Sequence, residues 1–151
     1  MKIDDKIPLG RWYKLVGREA VRLEGFPGPG EGIDAPNRQI ALTRTAVSTI
    51  STVFLSLDHN HFREGPPHIF ETMVFERQVQ ALGDKQQKLD FQHDYGLLAR
   101  YSTWDEAEKG HAKICDRIKE AEATSIRMMS PKLRKVLIEA QQEAELENQS
   151  D

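Results

Sequence analysis

Residues 47–59 read VSTISTVFLSLDH, a run dense in β-branched and aromatic residues, which favour extended backbone. Alternate positions of a strand face opposite sides of a sheet. Large apolar side chains occur near the middle of both faces, with Val53 and Leu55 on one and Ile50 and Phe54 on the other. The run therefore predicts a central strand of a sheet that is covered on both sides.

Other runs along the chain alternate in the same way and predict further strands. They are Arg11–Val16, Glu19–Glu24, Arg38–Thr45, His68–Glu76 and Tyr95–Ser102. Pro66 and Pro67 end the loop that follows the central run, and because proline lacks the N–H group of a ladder, an antiparallel pair is predicted around them. The Gly- and Pro-rich stretch 26–37 predicts a surface loop, and the polar stretch 77–94 predicts an exposed excursion between strands.

Two helices are predicted after the strands. Thr103 and Glu106 in TWDE form a capping box, and apolar residues at 3- and 4-residue spacing then predict a helix over residues 103–123. Ser130 and Pro131 begin a second helix as N-cap and first helical residue. This order predicts an α+β fold, an antiparallel sheet of about 4–6 strands followed by two C-terminal helices packed on or beside it.

The predicted domain organisation is one α+β domain over residues 1–129 and an amphipathic, charged C-terminal helix with a polar tail over residues 130–151. A basic block precedes an acidic block in this last region. The basic residues Arg127, Lys132, Arg134 and Lys135 are candidates for contact with a partner. They lack interleaved aromatic side chains for stacking on bases, so the block favours a solvated helix or a protein partner over nucleic acid.

Composition excludes several classes of protein. The chain has 151 residues, a net charge of -3 and one cysteine, Cys115, so neither a disulfide scaffold nor an overall attraction to nucleic acid or anionic lipid is expected. Every apolar run falls short of the roughly 18–20 residues of a membrane helix. The charged start of the chain, broken by Pro8, does not resemble a secretory signal. These features predict a cytoplasmic protein.

Polar residues of catalytic type concentrate at the end of the central run and in the loop that follows it. They are Asp58, His59 and His61, with His68 at the start of the next strand. Imidazole and carboxylate groups bind Zn²⁺ or Mn²⁺ and act as general acids and bases. His59, His61 and His68 are therefore candidate metal ligands, and a divalent metal is the candidate cofactor. The alternative is a polar strand end in which Asp58 accepts N–H groups of the loop, since neither HExxH nor CxxC is present.

Two more positions bear on catalysis. Glu71 has apolar neighbours at alternate positions, and because a buried carboxylate needs a partner, an ion pair with Arg100 of the last strand is predicted. His111 lies on the apolar stripe of the first helix, where a histidine is either a hydrogen-bonded core residue or a catalytic group. The candidate catalytic set is Asp58, His59, Glu71, Arg100 and His111.

Three blocks resemble a family of small uncharacterised phage and prophage proteins: STVFL followed by DH at 51–59, GPP and FETMVF at 65–75, and RYSTWDEAEKGH at 100–111. That family has no established activity, so the resemblance assigns no catalytic residue. It implies a phage context, in which small accessory proteins often bind host or phage macromolecules.

The leading functional hypothesis is a phage-type accessory protein, a non-enzymatic binding module that acts against a host defence or regulatory system. It would bind a host or phage protein through an exposed sheet edge or the C-terminal helix. The first alternative is a small metal-dependent or acid–base hydrolase that uses Asp58, His59, His61, His68 and Glu71. The second alternative is a structural virion component, and a homo-oligomer is compatible with each hypothesis.

Overall fold

Six strands, a 3-10 helix and two long helices form the computed structural model, which describes residues 10–62 and 64–151. They are β1 (Tyr13–Val16), β2 (Glu19–Arg22), β3 (Gln39–Arg44), β4 (Ser48–Phe54), β5 (Phe70–Glu76), the 3-10 helix (Gln80–Lys88), β6 (Gly96–Tyr101), α1 (Trp104–Arg127) and α2 (Pro131–Ser150). β1 and β2 form a hairpin, and the other strands form an antiparallel main sheet in the order β3-β4-β5-β6. The predicted α+β fold is confirmed. None of the described helices is both long and apolar enough to cross a membrane.

β4 occupies the central position predicted for residues 47–59, between β3 and β5. It ends at Phe54, so the predicted strand is too long. The reason lies at Ser56, whose φ of 68° turns the chain away from the ladder. Leu57 then forms a bridge with Trp12 beside the hairpin. The other strands match their predicted bounds to within two residues at each end.

One face of the main sheet carries the core. The inward residues of β4 are all fully buried, namely Ser48, Ile50, Thr52 and Phe54. Three apolar clusters lie along this inner face. The hairpin packs in the first, α1 in the second, and α2 together with the 3-10 helix in the third. The alternate residues Thr49, Ser51 and Val53 point to the outer face and are only half-buried. The prediction of a strand covered on both sides is therefore wrong for the described residues.

The stretch 77–94 is not the exposed excursion that its polarity predicted. The 3-10 helix within it buries Leu82 and Gln86, and Phe91 follows as a further core residue. Gln86 makes this possible because its side-chain amide replaces missing backbone partners: its Oε1 accepts from the N–H of Val79 and its Nε2 donates to the carbonyl of Arg77, both at 2.7 Å. A polar side chain thus satisfies the interior backbone of an irregular segment.

Both helices begin where their caps predicted. The Thr103 hydroxyl accepts from the N–H of Glu106 at 3.2 Å, and the Glu106 carboxylate accepts from the N–H of Ser102 at 3.0 Å. α1 continues to Arg127 rather than stopping at residue 123, because Ser125 and Ile126 extend its buried stripe. α2 packs through its predicted stripe, with Leu137, Ala140 and Ala144 buried.

The C-terminal end of α2 contacts the end of β3 at the edge of the main sheet. Asn148 accepts from the backbone N–H of Arg44 at 2.8 Å and donates to its carbonyl at 2.9 Å, as a neighbouring strand would. The Arg44 side chain pairs with Glu147 and Asp151, and Arg77 pairs with Glu147 at 3.3 Å. The acidic block of the sequence thus supplies the residues that bind Arg44 and Arg77.

Candidate functional site

Asp58 holds the loop in which the sequence placed a catalytic cluster. Its side chain is 1% exposed, and its Oδ1 accepts from the N–H groups of Asn60 and His68, both at 2.8 Å. Its Oδ2 lies 2.6 Å from Nη2 of Arg11. Asn60 donates to two further carbonyls of the loop. The prediction that Asp58 accepts loop N–H groups is confirmed for Oδ1, and Oδ2 is ion-paired with Arg11 without a hydrogen bond of good geometry.

The three candidate metal ligands lie at the same end of the sheet. The N–H of His59 donates to the carbonyl of His68 at 2.9 Å, and the rings of His59 and His61 are 6.2 Å apart between centroids. Burial lowers the pKa of His59, whereas the His61 side chain is exposed. Within residues 10–62 and 64–151, no group of three or more His, Cys, Asp or Glu side chains is arranged to hold a metal ion.

Glu71 and Arg100 form the predicted ion pair. They are direct cross-strand neighbours on β5 and β6, with Nε of Arg100 3.4 Å from Oε2 of Glu71. Both lie on the outer face, because Glu71 is also opposite Val53, whose side chain points outward. The pair adds a cross-strand contact between the two strands.

His111 connects α1 to the main sheet through both ring nitrogens. Its Nε2 lies 2.8 Å from the Thr43 hydroxyl of β3, and its Nδ1 lies 2.8 Å from the Thr52 hydroxyl of β4. The Thr52 hydroxyl is 2.6 Å from that of Thr72 on β5, which donates to the Tyr101 hydroxyl of β6 at 3.1 Å. One chain of hydrogen bonds therefore crosses all four strands beneath α1.

The donor-to-acceptor direction of these hydrogen bonds determines which ring nitrogen of His111 carries the proton. Each hydroxyl has one proton, so Thr72, which donates to Tyr101, accepts from Thr52. Thr52 then accepts from Nδ1 of His111, which leaves Nε2 of a neutral ring to accept from Thr43. Both nitrogens of the neutral ring are thereby satisfied, which favours the core role over the catalytic one.

The unfolding free energy is expected to decrease when the pH falls below the ordinary histidine value. Burial, with a smaller effect of Lys119, lowers the pKa of His111 from 6.5, so the unfolded chain binds a proton that the folded chain does not. Through this residue, the unfolding free energy changes by at most about 1.4 kcal/mol per pH unit.

Denaturation curves at several pH values should show that the unfolding free energy of His111→Leu depends less steeply on pH than that of the wild type. Part of the pH dependence should remain, because burial also lowers the pKa of His59. The control Gln142→Ala, at an exposed residue of α2 that does not ionise, should keep the wild-type pH dependence. Equal pH dependence in His111→Leu and in this control would contradict the assignment.

The basic residues surround the turn between the two long helices. Nη2 of Arg134 donates to the carbonyls of Arg127 and Met129 at 3.1 and 3.2 Å and so satisfies the end of α1. Lys132 and Lys135 are exposed. The structure thus gives Arg134 a capping role and leaves the two lysines in solvent.

The two edges of the main sheet differ. Asn148 binds the backbone of Arg44 at the end of β3, whereas the outward backbone groups of β6 have no hydrogen-bond partner in the described part of the chain. Beside β6, on the outer face, lie Met73, Phe75 and Leu97, which we call the apolar patch. Phe75 is 48% and Leu97 44% exposed.

A cavity of about 720 Å³ lies between α1, the start of β6 and the segment that follows the 3-10 helix. We call it the His93 cavity. Its apolar wall includes Phe91, Leu98, Ile114 and Ile118, and the charged residues that line it are Glu76, Asp90, Asp94 and Arg117. The volume is within the range of about 300–1,000 Å³ that small-molecule sites occupy.

His93 forms part of the cavity lining. Its side chain is 7% exposed, and its Nε2 lies 3.3 Å from the Ser48 hydroxyl and 3.9 Å from Oε1 of Glu122. Its Nδ1 is buried and has no hydrogen-bond partner among the described residues. The ring of Tyr95 packs edge-on against it at 4.9 Å between centroids, and burial raises the pKa of Tyr95.

Glu122 lies behind His93 as a buried carboxylate. Its Oε1 accepts from the hydroxyls of Thr45 and Ser48 at 2.7 and 3.0 Å and from the N–H of Val47 at 3.2 Å. A nucleophilic triad needs the acid on the far nitrogen of the histidine and an accessible serine. Here the acid contacts Ser48 itself, which is fully buried, so the arrangement does not support nucleophilic catalysis.

No family model, curated protein or solved structure matches the chain. The resemblance to phage proteins in residues 47–76 and 99–115 therefore stays a prediction.

Sequence reasoning did not find the pair of His93 and Glu122. His93 falls in the stretch that was expected to be exposed, and Glu122 is far from it along the chain. One pattern did point to Glu122: it lies four residues after Ile118, on the continuation of the apolar stripe of α1. A carboxylate on a buried stripe requires hydrogen-bond donors opposite it.

Proposed function

We propose that the protein is a non-catalytic binding module that accepts an extended strand of another protein at the open β6 edge. The observation that carries this proposal is the difference between the two edges of the main sheet. Asn148 of α2 binds both outward backbone groups of Arg44 at the end of β3, whereas the outward N–H and C=O groups of β6 have no hydrogen-bond partner among residues 10–62 and 64–151. Such an edge is a template for strand addition.

The apolar patch specifies the chemistry of the incoming strand. Met73, Phe75 and Leu97 lie on the outer face at the β6 side, because Phe75 is opposite Thr49 and Met73 is opposite both Ser51 and Leu97. A strand paired with β6 would place every second side chain on this face. We therefore expect apolar residues at alternate positions of the bound segment.

The contacts of the candidate catalytic residues also favour binding over catalysis. Asp58 accepts N–H groups of its loop and pairs with Arg11, and Glu71 pairs with Arg100. His111 forms hydrogen bonds with two threonines. The hydrolase and virion hypotheses have no comparable support in these contacts. In line with the resemblance to phage proteins, the partner is proposed to be a host or phage protein.

A photo-crosslinking amino acid at Leu97 tests the proposal, with the same substitution at Ile138 of α2 as a control of similar exposure. In phage-infected bacterial cells the Leu97 variant should form an adduct with one protein, and the Ile138 variant should not. Adding Phe75→Lys should reduce the adduct by about tenfold, because a charge replaces an apolar contact. Hydrogen exchange in the purified complex should slow at β6 amides and not at those of β3.

Three results would count against strand addition at β6. They are the absence of an adduct at Leu97, an adduct with a second copy of this chain, and unchanged exchange of the β6 amides in the complex.

A further inference from the structure

We propose that Arg100 selects the segment that pairs with β6, and that this segment carries an aspartate or glutamate opposite Arg100. The inference rests on the strand addition proposed above and names the charge of the bound strand. It is carried by the position of the guanidinium on the edge strand and by the hydrogen-bond donors that its ion pair leaves unused.

The ion pair of Glu71 and Arg100 has its cation at the edge of the sheet. Glu71 is on β5, which lies inside the sheet, and Arg100 is on β6, the last strand. The Glu71 side chain is 14% exposed, whereas that of Arg100 is 31% exposed. A strand added to β6 would therefore meet the guanidinium, with the carboxylate behind it.

Arg100 retains hydrogen-bond donors for a second acid. Its Nε, 3.4 Å from Oε2 of Glu71, donates the hydrogen bond of the ion pair. Within residues 10–62 and 64–151, neither Nη group of Arg100 forms a hydrogen bond. A guanidinium is a planar fork of N–H donors that binds a carboxylate through two of them. The Nη groups can therefore bind an acidic side chain while Nε stays with Glu71.

The other acids near this end of β6 already have cationic partners. Burial lowers the pKa of His59, and the charge of Arg100 lowers it further, so this imidazole lies near the guanidinium. Glu71 and Asp58 act on the pKa of His59 in the opposite direction. Asp58 is paired with Arg11, and Glu71 is paired with Arg100 itself. An acid of the incoming strand would thus bind Arg100 without displacing either pair.

The strand pairing defines where this acid must lie. Leu97 is on the outer face opposite Met73, and Arg100 is on the same face opposite Glu71. Side chains that lie directly opposite on neighbouring strands interact, and opposite charges stabilise the pair whereas like charges destabilise it. The bound segment should therefore carry an apolar residue beside Leu97 and an acid beside Arg100.

Peptides of about ten residues, the upper length of an ordinary strand, serve as probes. They alternate valine and threonine, are blocked at both ends, and carry glutamate, glutamine or lysine in place of one valine, at each valine position in turn. Fluorescence anisotropy of labelled peptides measures affinity, and hydrogen exchange of the β6 amides shows pairing with that edge. The best glutamate peptide should bind about fivefold more tightly than its glutamine counterpart and about tenfold more tightly than its lysine counterpart.

Exchanging the two charges tests the role of Arg100 without losing the ion pair. Glu71→Arg combined with Arg100→Glu keeps opposite charges across β5 and β6 but places the carboxylate at the edge, so this variant should prefer the lysine peptide. Lys113→Asp combined with Asp116→Lys exchanges charges at exposed positions of α1 and should keep the wild-type preference. If the first exchange prevents folding, Arg100→Gln replaces it, and this variant should lose the preference for glutamate.

The outcomes separate this inference from the strand addition on which it rests. Equal affinities for the three peptides, together with slowed exchange at β6, would overturn the acidic specificity and leave strand addition intact. A preference for glutamate that persists in the exchange variant or in Arg100→Gln would do the same. If no peptide slows the exchange of β6 amides, strand addition itself is wrong, and this inference is overturned with it.

Discussion

Replacing Gly110 by alanine is expected to lower the free energy of unfolding by about 3 kcal/mol. In most helices the same change is stabilising by up to about 1 kcal/mol, because alanine is the better helix former. At this position of α1 an added Cβ would overlap the Cε1, Cζ and hydroxyl oxygen of Tyr101. The ring cannot move away without losing its hydrogen bond from Thr72 and its place in the core beside Trp104.

A double-mutant cycle separates this overlap from a general effect on the helix. In a Tyr101→Ala background, Gly110→Ala should become stabilising by about 0.5–1 kcal/mol, since only the helix propensity remains. The exposed neighbour Lys109 serves as a control, and Lys109→Ala should change stability by less than about 0.5 kcal/mol. Urea denaturation measures all four variants, and a destabilising effect that persists without the Tyr101 ring would refute the explanation.

Glu122→Leu is also expected to lower the free energy of unfolding by about 3 kcal/mol. The cause is the loss of hydrogen-bond acceptors and not a loss of side-chain volume. Three donors converge on the carboxylate, from Thr45, Val47 and Ser48, and all are buried. Leucine would leave them unsatisfied, at roughly 1 kcal/mol each. Glu122→Gln should be milder, since its side-chain oxygen can accept some of the same bonds.

Thermal or urea unfolding measures this loss, and exchange of the Val47 amide reports it locally. Glu120, two residues earlier on the exposed side of α1, gives the matched control: Glu120→Leu should change stability by less than about 0.5 kcal/mol. If Glu122→Leu proved as stable as the wild type, the hydroxyls of Thr45 and Ser48 would have found other acceptors, and the proposed network would be incorrect.

The local rules of sequence predicted most of the fold. Alternation located the strands, and TWDE and Ser130–Pro131 marked the helix starts. The need of a carboxylate among apolar neighbours for a partner identified Glu71 and Arg100 as a pair. Each of these features depends on side chains that are close along the chain or directly opposite in an antiparallel ladder. Their physical cause can therefore be read from spacing.

What was missed depends on contacts between distant segments. The turn at Ser56 arises where the chain leaves β4 to pair with the hairpin, and neither partner alone specifies it. Gln86 becomes interior because the particular backbone groups of Arg77 and Val79 need partners. The pairing of His93 with Glu122 likewise requires the 3-10 region to fold against α1, so hydropathy alone did not reveal the cavity.

The contact between Asn148 and Arg44 shortens the stretch of β3 that another strand could pair with. A sheet with two open edges can add strands at both sides and grow into open-ended assemblies. With Arg44 occupied, strand addition is expected to favour β6, which limits growth from the β3 side. Removing the last residues of α2 would expose Arg44 as well, and the expected product shifts from a one-to-one complex toward a fibre or aggregate.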